Sequence, residues 1–164
     1  TIRSRCQTIR LSPLGAGDLL EALRDVAPPL PTEPHARAAL AERAAGSPRT
    51  AILLTQYGGL EIADALDKLV RSPKPATTDK YKLAEAVAAK DQQIAFDMFN
   101  ERVLETIATA ATGAAAAGQG TRADRLSQEW QEVRLAIEEA DTYNLDRKQH
   151  ALIMISRLIA ALRM

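Results

Sequence analysis

Cysteine occurs once in this 164-residue chain, as Cys6, and histidine twice, as His35 and His150. That inventory excludes a disulfide framework and any zinc site built wholly from Cys and His of one chain, and it fits a reducing compartment. An excess of either charge is also missing, since 21 Lys and Arg balance 21 Asp and Glu. The overall basic bias of a free-standing nucleic-acid binder is therefore absent, and any DNA contact has to be local. Long apolar runs are lacking too. Residues 151–155 are among the longest, far below the roughly 20 residues of a membrane span, and no charged-then-apolar leader opens the sequence. A soluble, cytoplasmic protein with no membrane partner is expected. Aromatics are only 4% of residues. What is plentiful is alanine, the best helix former, which favours closely approaching helices over β-branched sheets. The expected fold class is all-α, as one ordinary domain or two small helical ones.

The opening Thr1-Ile2-Arg3-Ser4-Arg5-Cys6 is neither a leader nor a helix cap, and it reads as the interior of a longer protein. From Gln7 to Leu11 the residues alternate, with Ile9 and Leu11 apolar and Thr8 and Arg10 polar, the period of a half-buried strand. One strand is not stable alone, so residues 1–11 are assigned to the edge of an upstream domain.

Helix signals follow. Gly15 and Asp18 open a helix through Leu19, Leu20, Leu23 and Val26, ended by Pro28, Pro29 and Pro31. Thr32 is the expected cap of a second helix, with Pro34 in its first turn and Gly46 closing it. Ser47-Pro48 opens a third, which Gly58-Gly59 stops, and a fourth carries Leu60, Ile62, Leu66, Leu69 and Val70. These short helices make a group over residues 12–71. The stretch Ser72-Pro73-Lys74-Pro75-Ala76-Thr77-Thr78 has the stiff, polar composition of a linker, and the domain boundary is placed there, at 72–78.

Over residues 79–164 the helices lengthen. One is expected from Asp79 to Lys90. The next is opened by Asp91 and carries Phe96, Phe99, Val103, Ile107 and Ala110 on one helical face. The alanine tract at 113–120 reads as a weakening helix end or a loop, with Thr121 capping the following helix, whose apolar face is Leu126, Trp130, Val133, Ile137 and Ala140. Asp146 caps the last helix, in which residues 151–155 are apolar all round. Such a helix either packs against a neighbouring chain as well as its own domain or lies at the centre of its own bundle.

The first seven residues resemble the Ser-Arg-Cys motif of clamp-loader AAA+ subunits, found where the nucleotide-binding core ends beside its neighbour. Further matches follow in the family's order: residues 11–14 leading into the first lid helix, Gly46-Ser47-Pro48-Arg49 at the sensor-two position, and Tyr143-Asn144-Leu145-Asp146-Arg147-Lys148-Gln149 opening the last collar helix. The last segment is similar to the delta-prime type of bacterial DNA polymerase III clamp loaders rather than to the ATP-hydrolysing tau/gamma type. The resemblance implies the end of an AAA+ core at 1–11, a helical lid at 12–71 and a collar oligomerisation domain at 79–164. It further implies a subunit that is not an enzyme by itself but serves a DNA-directed DNA polymerase holoenzyme in the replisome. Its partners would be tau/gamma and delta subunits through the collar, and the sliding clamp and primer-template DNA through the whole complex. The core would lie upstream, so no phosphate-cradling glycine loop is expected, and the glycines of 113–120 lack the Gly-Lys-Ser/Thr ending. A tau/gamma-type motor and a stand-alone helical adaptor are the alternatives.

The resemblance makes Arg5 an arginine finger reaching ATP-Mg on the neighbouring subunit, with no cofactor in this chain. A guanidinium suits that role because it is always charged and donates paired hydrogen bonds to phosphate oxygens. The bland alternative is a solvated arginine beside Arg3 and Arg10. Ser4 and Cys6 are expected to shape the turn, since a nucleophilic Cys needs a neighbouring base and the local sequence offers arginines. Arg49 stands at the position where motor subunits set an arginine against their own nucleotide; a structural salt bridge or an exposed side chain is the other reading. Trp130 is expected in the core, and His35 and His150 at the surface or in caps.

Overall fold

The computed structural model describes residues 11–24 and 30–164, and among these all regular structure is helical. The chain separates into two compact units, residues 1–56 and 57–164. Ser4, Arg5, Cys6 and most of the expected strand at Gln7 to Leu11 lie outside the described residues; Leu11 itself is exposed and has no regular structure.

The first unit holds α1 (Ala16–Leu23), α2 (Pro34–Ala44) and α3 (Pro48–Gln56). Gly15 is the N-cap of α1, with Asp18 in the first turn, where its charge complements the helix dipole. Val26, expected to extend this helix, lies outside the described residues. In α2, Pro34 occupies the first turn, where its missing N–H breaks no helical bond. The cap is Glu33, without a side-chain bond, rather than Thr32. Ala45 and Gly46 then both take left-handed backbone, φ 47° and 75°. Glycine is required at the second position: a Cβ on Gly46 would lie 2.6 Å from the Leu14 backbone, and the Leu14 amide donates to the Gly46 carbonyl at 3.1 Å. Ser47 caps α3 by accepting from the Thr50 amide at 3.3 Å. Among the described residues of this unit, Leu19, Leu23, Leu40, Ala44, Ala51 and Leu54 are the buried apolar ones.

The second unit contains α4 (Gly59–Arg71), α5 (Thr77–Val87), α6 (Gln93–Ala116), α7 (Gly120–Tyr143) and α8 (Arg147–Leu162). The fourth short helix, grouped by sequence with those before it, thus lies in this unit: Ile62, Leu66 and Leu69 share one core with Leu83, Phe96, Phe99 and Leu158. Residues 72–76 of the proline-rich stretch are the turn from α4 into α5, and Thr77 and Thr78 already belong to α5. The turn is pinned by Arg163 at the end of α8, whose guanidinium donates to the carbonyls of Ser72 at 2.9 Å and Pro73 at 3.1 Å. Arg102 of α6 ties back to α4 through Asp67, at 3.1 Å, and also holds Glu105.

Helices α6 and α7, each of 24 residues, form a long hairpin packed along its length. Phe96, Phe99, Val103 and Ile107 are buried as their spacing predicts, and so are Leu126, Val133 and Ala140. Trp130 and Ile137 are half-buried against the same core, which makes Trp130 a packing residue. Several expected ends shift. Helix α5 starts at Thr77 rather than Asp79, and Asp91 adopts φ 66° instead of capping α6, which begins at Gln93. The alanine tract continues α6 to Ala116, Gly118 turns the chain with φ 73°, and Gln119 rather than Thr121 sits at the N-cap of α7. Helix α8 packs on α4, α5, α6 and α7. Its all-round apolarity is therefore accounted for mainly inside its own bundle. No helix of the described residues is long and apolar enough to cross a membrane.

Candidate interaction surface

Residues 143–149, where the family resemblance is most particular, span the junction of α7 and α8, and those from Asn144 to Gln149 have local tasks. Asn144 closes α7 in left-handed backbone, φ 50°, a conformation asparagine tolerates better than most residues. The Leu145 amide donates to the Ala140 carbonyl at 3.0 Å. Asp146 caps α8 as expected, its Oδ1 accepting from the Gln149 amide at 2.7 Å. Arg147 lies over the Phe96 ring, 5.3 Å from its centroid, and donates to the Gln93 side-chain carbonyl. Lys148 pairs with Glu85 of α5 at 3.6 Å.

His150 follows, one turn into α8. It is 5% exposed, not at the surface, with its Nε2 and Asn100 Oδ1 3.2 Å apart and its ring tilted against Phe96 at 5.5 Å. With Oδ1 as the acceptor, Nε2 carries the proton. Burial lowers the histidine pKa, and the negative charge of Asp141 opposes that shift without cancelling it. His35 is exposed near the start of α2, as expected.

Alongside this junction runs a groove of about 340 Å³ between α7 and α8. Ala136, Leu145, Ile153 and Met154 supply its apolar lining, and Glu139 and Asp146 its charge. Leu145 and Ile153 are each 48% exposed, and Tyr143 at the end of α7 is 69% exposed. The outward residues of α8 from Gln149 through Ile153 and Ser156 to Ala160 carry no charge. One turn beyond Ile153 on the α7 side of the same helix, Arg157 clamps α8 to α7, binding Glu129 at 2.6 Å and Glu132 at 2.5 Å. The combination is a rigid, partly apolar surface on a well-packed scaffold.

Of the site residues named by sequence, Ser4, Arg5 and Cys6 lie outside the described residues. Arg49 is exposed on the first turn of α3, next to the Ser47 cap. Among the described residues no three His, Cys, Asp or Glu side chains gather as a metal site. The α7–α8 groove was not read from sequence, although a signal for it exists. A helix turns about 100° per residue, so five consecutive apolar positions go round the whole circle and one must face out; here it is Ile153. Compared with known proteins, the chain matches no family model, no curated protein and no solved structure.

Proposed function

We propose that this chain is the lid and collar portion of a delta-prime subunit of a bacterial DNA polymerase III clamp loader. In that role it is a non-catalytic member of the ring that loads sliding clamps onto primer-template DNA in the cytoplasmic replisome. The observation that carries this reading is Ser4-Arg5-Cys6, followed in family order by Gly46-Ser47-Pro48-Arg49 and the segment from Tyr143 to Gln149. An all-helical chain with short helices first and a long-helix bundle after them is compatible with it. On this reading the bundle assembles with tau/gamma and delta subunits. Arg5 then reaches the ATP-Mg of a neighbour, where its guanidinium neutralises charge that builds on the phosphoryl oxygens during transfer. Arg49 would stand at the sensor-two position.

The test is Arg5→Ala in the full-length subunit, reconstituted with its partners. Hydrolysis at the site that Arg5 completes is expected to fall by roughly 10³-fold or more, with assembly unchanged. Full DNA-stimulated hydrolysis by an intact mutant ring would remove the finger assignment. A second reading is a stand-alone helical adaptor that binds partner helices through its last helix, and the observation that favours it is Ile153 of α8, 48% exposed beside the α7–α8 groove. Failure of the chain to co-elute with clamp-loader subunits in size-exclusion chromatography would support the adaptor.

A further inference from the structure

Leu145, in the turn before α8, and Gln149 and Ile153, on α8, line one edge of the groove, and Ala136 lines it from α7. Leu145, Ile153, Met154 and Ala136 give the groove an apolar floor between two helices, which suits a third helix laid into it. The charge is one-sided. Glu139 and Asp146 are the carboxylates lining it, beside the buried His150, no lysine or arginine does, and neither carboxylate takes part in an ion pair among the described residues. Asp146 uses one oxygen to cap α8. Anionic lipid and nucleic-acid phosphate are repelled by such a rim. A second copy docked groove to groove about a two-fold axis would set the same carboxylates against each other.

We propose that the α7–α8 groove binds an amphipathic helix of another protein, apolar on one face and flanked by Lys or Arg that pair with Glu139 and Asp146. This rests on the surface of the second unit alone and not on the clamp-loader reading, so either can fail without the other. Leucine-type side chains of the partner sit between Leu145 and Ile153, and basic residues at the edges of its apolar face select it over acidic helices of the same shape.

The test uses two synthetic helical peptides with the same leucine face, one flanked by lysine and one by glutamate, titrated into the 164-residue chain. Fluorescence anisotropy reads affinity, and backbone amide shifts read the location. The lysine-flanked peptide is expected to bind at least about tenfold more tightly than the other, a difference of about 1.4 kcal/mol, with shifts centred on Leu145 and Ile153. Ile153→Asp should weaken it by a similar factor with helix content by circular dichroism unchanged, since Ile153 is half exposed. Glu139→Lys should reduce or reverse the preference, and it stands as the test if Ile153→Asp does not fold. Equal affinity for the two peptides, shifts elsewhere, no saturable binding, or a preference untouched by Glu139→Lys would each overturn the proposal. So would a dimer seen by sedimentation that Ile153→Asp dissociates, which would give the groove to a second copy.

Discussion

At His150 the ring is nearly fully buried between Phe96 and Asn100, and burial lowers its pKa below the ordinary value of 6.5 against the opposing charge of Asp141. The folded chain therefore binds a proton at this site less readily than the unfolded chain does. Above that ordinary value both states are neutral and the site contributes no pH dependence. As pH falls through it the unfolded state takes up the proton first, so stability is lost on the acid side until the folded-state pKa is also passed. Between about pH 7.5 and 5.5, where ordinary carboxylates stay largely ionised, the urea midpoint should fall with pH. A single site contributes a slope of at most about 1.4 kcal/mol per pH unit. His150→Gln, which keeps a donor for Asn100 but cannot be protonated, should flatten that slope; equal slopes in the two proteins would show that another group sets it. The burial of this histidine was not legible in sequence. His150 lies near a helix start, where surface and cap positions are the default, and only the packing of α8 against α6 places Asn100 and Phe96 around it.

For the helices, sequence was most informative where a long apolar face fixes the phase. Phe96, Phe99, Val103 and Ile107 on α6 and Leu126 and Val133 on α7 fall in the core at the expected spacing. Ends were less legible, because capping competes with neighbouring alternatives of similar energy. Asp146 had a clear cap role, whereas Asp91, an equally good cap by type, bends into left-handed backbone and leaves the cap position to Gln92. The alanine tract was ambiguous because it joins a good helix former to two kinds of glycine. Gly113 is inside α6 and exposed, with nothing within 4 Å of a Cβ built on it. Gly118 is equally open but sits at φ 73°. The same substitution should consequently have opposite signs. Gly113→Ala should stabilise the chain by about 0.5–1 kcal/mol, through better helix propensity and a less free unfolded state. Gly118→Ala should destabilise it by about 1 kcal/mol, through left-handed strain. Paired urea titrations measure both, and a shift of the same sign at both sites would mean that the turn between α6 and α7 is not where strain decides.

For the chain as a whole, the compact units divide at residues 56 and 57, whereas linker composition and the resemblance put a boundary at 72–78. Proline and lysine mark a stiff turn in either case, and sequence cannot say whether the elements on its two sides share a core. Here they do. Ile62, Leu66 and Leu69 of α4 are buried with Leu83, Val87 and the phenylalanines of α6, and Asp67 holds Arg102 across α4 and α6. A fragment beginning at Tyr57 keeps all of this, whereas one beginning at Asp79 loses the large buried side chains of Ile62, Leu66 and Leu69, with Ala63, and leaves the α6 arginine without its α4 carboxylate. At roughly 1.5–3 kcal/mol for each buried side chain, the loss is about 5–9 kcal/mol, comparable with the whole stability of an ordinary domain, about 5–15 kcal/mol. Residues 57–164 should thus unfold cooperatively in urea with high helix content. Residues 79–164 should show lower ellipticity per residue and a broad transition or aggregation. Equal cooperativity and equal midpoints for the two fragments would mean that α4 is dispensable, returning the boundary to the proline-rich turn. The contrast also bears on assembly, because a binding experiment on residues 79–164 alone would present the side of α5 and α6 that α4 covers as a false apolar surface.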